Sequence, residues 1–318
     1  METPQGNDVC NQPFHDGEIA VQERAGERDI ARRRGAAISS RIIPGALPFL
    51  AGLRLVSLSA AGDDGHLWTS VWCGEPGFMR SADGQRVSFL PSLMAASPDD
   101  PVLRRLTIGR DLGILAIDFS SRRRLRISGT VEGISTDEIA ILVRESVPNC
   151  PKYIQRRHSH EASTTRSSPR PSEWGRTVDD ERRALVERVD TAFVGSLHPA
   201  RGVDASHRGG APGFIQVVDA TTLRVPDYPG NSMFMTLGNY EIDSRASLAA
   251  LDFEHGTVVS FSGTAQLHFG VEDPQHPTGG TGRYWDFAVR EWVQFELPSA
   301  LRWELLDSSP FNPLTSRK

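Results

Sequence analysis

Lysine is almost missing from this chain. Lys152 and Lys318 are the only two, and the other cationic residues are arginines. Any phosphate ligand would therefore be held by planar guanidinium forks or by backbone amides. Cysteine is scarce too. Cys10, Cys73 and Cys150 are odd in number and widely spaced, with no CxxC pair. That argues against a zinc ribbon or an iron–sulfur cluster and reads as free thiols in a reducing compartment. His158 and His160 stand in a polar stretch without further ligands nearby, so no metal is expected. The first twelve residues, METPQGNDVCNQ, lack an apolar signal core, and cytoplasmic residence is the expectation. The longest apolar stretch, 42–56, is broken by Pro44, Gly45, Pro48, Gly52 and Arg54, which excludes a bilayer-spanning helix there. A net charge of −5 gives no strong basic field for nucleic acid or an anionic membrane. No Rossmann GxGxxG opens a helix, no GxSxG elbow is present, and Gly279-Gly280-Thr281-Gly282 lacks the GK[ST] ending of a phosphate loop.

What the chain does have is a copy of itself. GEPGF at Gly74–Phe78 returns as GAPGF at Gly210–Phe214. LAIDF at Leu115–Phe119 returns in LAALDF, ending at Leu251-Asp252-Phe253. LRISGT at Leu125–Thr130 returns as VSFSGT at Val259–Thr264, and VRESV at Val143–Val147 as VREWV at Val289–Val293. The blocks keep their order, at offsets of 136, 134, 134 and 146 residues. Collinear self-similarity of this kind signals duplicated architecture. A length of 318 residues suits two such domains.

Within each copy the pattern is β. Short apolar runs at Leu112–Phe119 and Ser247–Phe253 are bounded by turns. Arg124–Ile127 and Val258–Phe261 end at glycines, and Ile139–Val147 and Tyr284–Phe295 mix β-branched, aromatic and charged residues. Two helices are predicted, over about 17–34 and 178–189. His158–Arg176, rich in Ser, Thr, Pro and Arg, reads as an exposed linker in which only Trp174 suggests anchoring. Trp285, Trp292 and Trp303 read as core or lobe-interface residues, one of which could stack on a planar ligand.

Two blocks of the second half carry the candidate chemistry. One is Ser206-His207-Arg208-Gly209-Gly210. The other runs from Pro226 through Asn231 to Met235-Thr236-Leu237-Gly238-Asn239. Arginine offers a fork for phosphate, and glycine permits close approach of backbone to a ligand. SHRGGxPGF, PDYPGNxxFxTLGN and the following DF resemble the pyridoxamine-phosphate-oxidase-like, FMN-binding split-barrel proteins, in particular their long two-lobed members. FHDGEIAVQ at Phe14–Gln22, NCPKYIQRR at Asn149–Arg157 and SPFNP at Ser309–Pro313 also resemble that subgroup.

The resemblance implies a mainly β fold with minor α, built as two tandem split-barrel lobes forming a pseudo-dimer. It divides the chain into an N-terminal helical extension (1–45), a degenerate lobe (46–157), a linker (158–176) and an FMN-binding lobe (177–318). It assigns Arg208 to the FMN phosphate, flanked by Ser206, His207 and Gly209. It lays Asn231 and a next-strand segment of Met235, Thr236, Leu237, Gly238 and Asn239 along the flavin, and gives Arg245 the place of a basic pair. In the first half Ser70-Val71-Trp72-Cys73 replaces Ser206-His207-Arg208-Gly209. One flavin site per chain follows, with Lys152, Arg156 and Arg157 able to reach it from the first lobe. The implied activity is an FMN-dependent oxidoreductase acting on a small organic molecule, with NAD(P)H as a candidate donor. The alternative is a non-catalytic flavin or haem carrier, and a third reading is a β protein with a decayed site. The expected assembly is a monomeric pseudo-dimer or a homodimer.

Overall fold

A computed structural model describes residues 12–161, 171–297 and 301–313. Cys10, the middle of the expected linker, and Lys318 lie outside the described residues. Short helices α1 (Asp16–Arg24), α2 (Arg28–Arg34) and α3 (Leu47–Ala51) precede the first sheet. One continuous helix is expected over 17–34. Instead it breaks at Gly26, whose φ of +70° suits glycine and not a helix interior.

The first lobe contains β1 (Leu55–Ala61), β2 (Leu67–Gly74), β3 (Met79–Arg80), β4 (Arg86–Phe89), β5 (Met94–Ala95), β6 (Asp111–Asp118), β7 (Arg123–Ile134) and β8 (Ile139–Asn149). Then come β9 (Arg156–Glu161), β10 (Glu173–Gly175) and α4 (Asp180–Arg188). The Asp179 carboxylate caps α4 by accepting from the Arg182 amide. The second lobe contains β11 (Thr191–His198), β12 (Gly202–Gly209), β13 (Gln216–Asp219), β14 (Thr222–Pro226), α5 (Met235–Ile242), β15 (Arg245–Asp252), β16 (Thr257–His268) and β17 (Tyr284–Glu296). Last is β18 (Leu301–Asp307).

The duplication is visible in the strand order. The first sheet runs β3-β4-β8-β7-β6-β1-β2-β5, and the second runs β13-β14-β17-β16-β15-β11-β12. Seven strands keep the same order, while β5 extends only the first sheet and β10 pairs with β17 beside the second. Even an irregularity is copied. In the first lobe Ser128 faces Glu145 and Gly129 faces Val143, so Arg144 bulges out. In the second, Ser262 faces Glu291 and Gly263 faces Val289, so Arg290 bulges out. The same bulge in both copies is a built-in bend of the sheet rather than a defect. The fold is thus mainly β, with two lobes of one barrel-like plan.

The lobes embrace reciprocally: β2 packs on β15 and β16, and β12 packs on β6 and β7. Strands there are buried on both faces, and their sequences are rich in Ser, Ala, Thr and Gly, which lets the sheets approach. A Cβ on Gly113 would lie 2.6 Å from the Asp204 carbonyl carbon. At the seam the Thr69 hydroxyl meets those of Ser59 (2.7 Å) and Ser247 (2.6 Å). One hydrophobic core runs from Trp72 and Phe89 of the first lobe through Phe193, Phe253 and Phe295 of the second. A separate core fills the second lobe around Phe261, Trp285 and Phe287.

The described ends of the expected linker carry strands. His158–Glu161 belongs to β9, which pairs with β18 from the far end of the chain. Residues 173–175 form β10 and pair with β17, and Trp174 meets Trp68 edge-on at 5.8 Å. Trp285 and Trp292 are buried in the second-lobe core, while Trp303 packs against Phe119 and Phe253 between the lobes.

Candidate functional site

Alternation along β12 sorts its residues by face. Asp204, Ser206 and Arg208 share one face, and His207 takes the other. Arg208 Nη1 donates to Ser206 Oγ at 3.3 Å and to the His207 carbonyl at 3.2 Å, while its Nε has no partner. Arg208 makes no ion pair among the described residues. Burial pulls its pKa down despite the nearby Asp227 and Asp204. A guanidinium without a carboxylate, desolvated beside a cleft, is a seat for an anion.

Two more arginines come across from β7 of the first lobe. Arg126 Nε lies 3.1 Å from Asp204 Oδ1, and its Nη2 donates to Thr236 Oγ1 at 3.3 Å. Arg124 Nε donates to the Cys150 carbonyl at 2.9 Å, and its Nη1 lies 3.0 Å from His207 Nδ1. Burial lowers the Arg124 pKa to about 10. Asp227, the other nearby carboxylate, is held by Arg283 at 3.0 Å.

The far wall is the start of α5. The chain reaches it through Ser232 and Phe234 at φ of +63° and +57°, a left-handed conformation that costs a non-glycine residue about 1 kcal/mol or more. Phe234 is the N-cap and gives no side-chain cap, so the first-turn amides of α5 are not answered by the residue that starts it. The resulting cleft holds about 850 Å³ of space, part of it open to solvent, between the two lobes.

The matching positions of the first lobe are occupied differently. Trp72 stands where Arg208 stands, and Ser70 where Ser206 stands, by strand register. Between them sits the buried carboxylate of Asp100. It accepts from Ser70 Oγ, from Trp72 Nε1 (3.2 Å), and from the amides of Val102 (2.9 Å) and Leu103 (2.8 Å) at the start of a short 3₁₀ turn. Asp100 lies in the connection between β4 and β6, as the start of α5 lies in the connection between β14 and β15. The first lobe therefore carries an internal anion between the side chains of the β2 pair and a helical N-terminus. The second lobe offers the corresponding donors to a cleft.

Of the residues anticipated from sequence, Ser206, His207, Arg208, Gly209, Asn231, Met235, Thr236 and Leu237 line this cleft. Three do not. Gly238 faces α1, where a Cβ would lie 2.5 Å from Glu18 Cα, so its smallness serves helix crossing rather than ligand approach. Asn239 bonds His15 Nε2 and Ser196 Oγ, both at 2.9 Å. Arg245 pairs with Asp243 and borders a separate groove. The segment 235–239, expected as strand, is the first part of a helix.

Lys152 donates to the Pro229 carbonyl at 3.5 Å and lies over the Phe311 ring, 5.4 Å from its centroid. Arg156 pairs with Asp307 and Arg157 with Asp190. The arginines that do cross from the first lobe, Arg124 and Arg126, were not anticipated, nor were Asn149, Cys150 and Tyr153. The alternation Arg124-Leu125-Arg126 is the one local signal, since it puts both arginines on one strand face. The 149–153 segment ties the cleft's mouth: Tyr153 Oη donates to the Pro229 carbonyl at 2.9 Å, and Asn231 Nδ2 to Asn149 Oδ1 at 3.0 Å.

No family model matches the chain, and no curated protein matches it. Solved structures do, over part of its length. A HupZ variant from Group A Streptococcus is 16% identical at a TM-score of 0.31, covering 36% of this chain and 98% of its own. A putative pyridoxamine 5'-phosphate oxidase from Lactobacillus delbrueckii is 15% identical at 0.30, covering 37% and 94%. An F420 reductase is 12% identical at 0.25, covering 34% and 91%. At TM-scores near 0.3 these likenesses carry no weight for chemistry. Among the described residues no helix is long and apolar enough to cross a membrane.

Proposed function

We propose that the cleft binds FMN, one per chain, and that the protein is an FMN-dependent oxidoreductase of a small organic molecule. The observation that carries this reading is the Asp100 carboxylate. In the first lobe it accepts from Ser70 and Trp72, whose second-lobe counterparts Ser206 and Arg208 line the cleft together with the start of α5, which supports an anion seat there. A phosphate there would receive charge-assisted bonds from Arg208 and amide bonds from α5. The flat ring would lie in the remaining cleft, between Arg124, Cys150, Tyr153 and Met235.

When bound, the flavin would supply the electron or hydride transfer itself. The chain's own residues bind and orient. Arg208 and Ser206 hold the phosphate end, Arg126 anchors Thr236 and Asp204 across the lobe boundary, and the 149–153 segment narrows the mouth. No dinucleotide-binding fold is evident in the sequence, so NAD(P)H as donor would meet the flavin directly in the open part of the cleft.

Mass spectrometry of ligand released from the native protein, with its absorption spectrum, tests the reading. FMN and flavin bands that bleach with NADPH or NADH support it. A Soret band, or a flavin that no donor reduces, replaces the oxidoreductase by a haem protein or a carrier.

A further inference from the structure

The cleft holds a polar group that phosphate binding does not use, the imidazole of His207. It lies on the β12 face opposite Ser206 and Arg208, directed toward the first lobe. Arg124 Nη1 is 3.0 Å from its Nδ1. A guanidinium can only donate, so Nδ1 must accept, and the proton of the neutral ring then sits on Nε2. Arg124 is itself held in place by its bond to the Cys150 carbonyl. His207 is 3% exposed, and its buried Nε2 has no partner among the described residues. Phe119 and Phe193 flank the ring edge-on at 6.5 and 6.0 Å and offer no acceptor atoms. Burial first, then the charges of Arg124, Arg208 and Arg157, hold the ring far below the usual imidazolium range.

We propose that His207 presents a fixed Nε2–H donor to an acceptor atom of the ring system bound in the cleft, with Arg124 setting its tautomer, so that the site favours the ligand form carrying more negative charge. The inference rests on the flavin reading. The acceptor is then an oxygen or nitrogen of the isoalloxazine edge, whose electron density rises on reduction. No proton leaves His207, and the only change is a hydrogen bond that strengthens as its acceptor gains charge. The buried guanidinium behind the ring increases the acidity of that N–H, as a low-dielectric site allows. Reduced FMN is therefore bound more tightly than oxidised FMN.

The test compares the full-length FMN-loaded protein with two variants. His207→Phe keeps a flat ring and removes the donor, and His207→Gln returns an N–H at similar reach. The readout is the preference for reduced over oxidised FMN, from the equilibrium midpoint potential. His207→Phe is expected to lose about tenfold of that preference, about 30 mV for a two-electron couple. His207→Gln is expected to recover most of it. In the native protein, nitrogen-15 NMR is expected to show the Nε2–H tautomer of His207 without titration between pH 5 and 8.

A His207→Phe protein that binds FMN with the preference changed less than twofold overturns this inference alone. So does a His207 that titrates normally in the native chain. A native chain that binds no FMN overturns both the flavin reading and this inference.

Discussion

Trp72 and Arg208 occupy one position of a repeated strand pair. Trp72 faces Val56 across β1 and β2, and Arg208 faces Ala192 across β11 and β12. Trp72 donates to a carboxylate the chain supplies, and Arg208 keeps a donor nitrogen unpartnered beside a cleft. The duplication thus made two positions of the same kind. One is tied into the first lobe's interior, and the other borders the cleft proposed to hold an anion.

Asp100→Ala is expected to destabilise the first lobe and leave FMN binding intact. It strands Ser70 Oγ, Trp72 Nε1 and two amides, and each unsatisfied buried donor costs about 1–3 kcal/mol. Thermal and urea unfolding measure the first effect, and flavin titration the second. Trp72→Ala belongs to the same class, through a cavity cost of about 3–5 kcal/mol. Selective loss of flavin in either variant would mean that the first lobe builds the cofactor site directly at these residues.

Gly17→Ala is expected to loosen the cleft from a distance. A Cβ there would lie 2.3 Å from the Gly238 carbonyl oxygen, and backbone cannot swing away as a side chain can. Overpacking of this kind costs about 1–3 kcal/mol. Because α1 supports α5, and the start of α5 lines the cleft, FMN affinity should fall together with stability. An unchanged affinity in a destabilised Gly17→Ala protein would separate α1 from the site.

Glu18 sets a pH dependence of stability. Burial raises its carboxyl to about 8, assisted by Glu145 and opposed by the His15 amide bond, Arg201 and Arg126. The folded-state value lies above the unfolded one, so the protonated form is favoured on folding. Its contribution is fully present below about pH 4.5 and is lost as pH rises through about 8. Unfolding midpoints should fall between pH 6 and pH 9, and Glu18→Gln should flatten that fall. An equal fall in the variant would assign the slope to other groups.

Much of the fold was legible because duplication leaves a mark that propensity does not. The GxPGF, DF and SGT blocks set the correspondence of strands, and with it the match of Trp72 to Arg208. The cleft's second-lobe residues could be read because they cluster in two contiguous stretches. Arg124 and Arg126 could not be, since they become cleft residues only when β12 packs on β7, and sequence records no distance between lobes. Asn239 and Gly238 misled for a physical reason: a glycine that admits a helix looks the same as one that admits a ligand. The helix at 235–242 was missed because left-handed Phe234 starts it without a capping side chain. The strand role of His158–Glu161 was hidden because its partner, β18, lies some 140 residues away.

Calorimetric titration of FMN and of riboflavin into the native protein and Arg208→Ala tests the anion seat most directly. A charge-assisted bond contributes about 1.5–3 kcal/mol, so riboflavin should bind at least tenfold more weakly than FMN, at one site per chain. Arg208→Ala should erase the difference between the two ligands while the fold survives. Equal affinity for riboflavin and FMN in the native protein, or two FMN molecules per chain, would contradict the account.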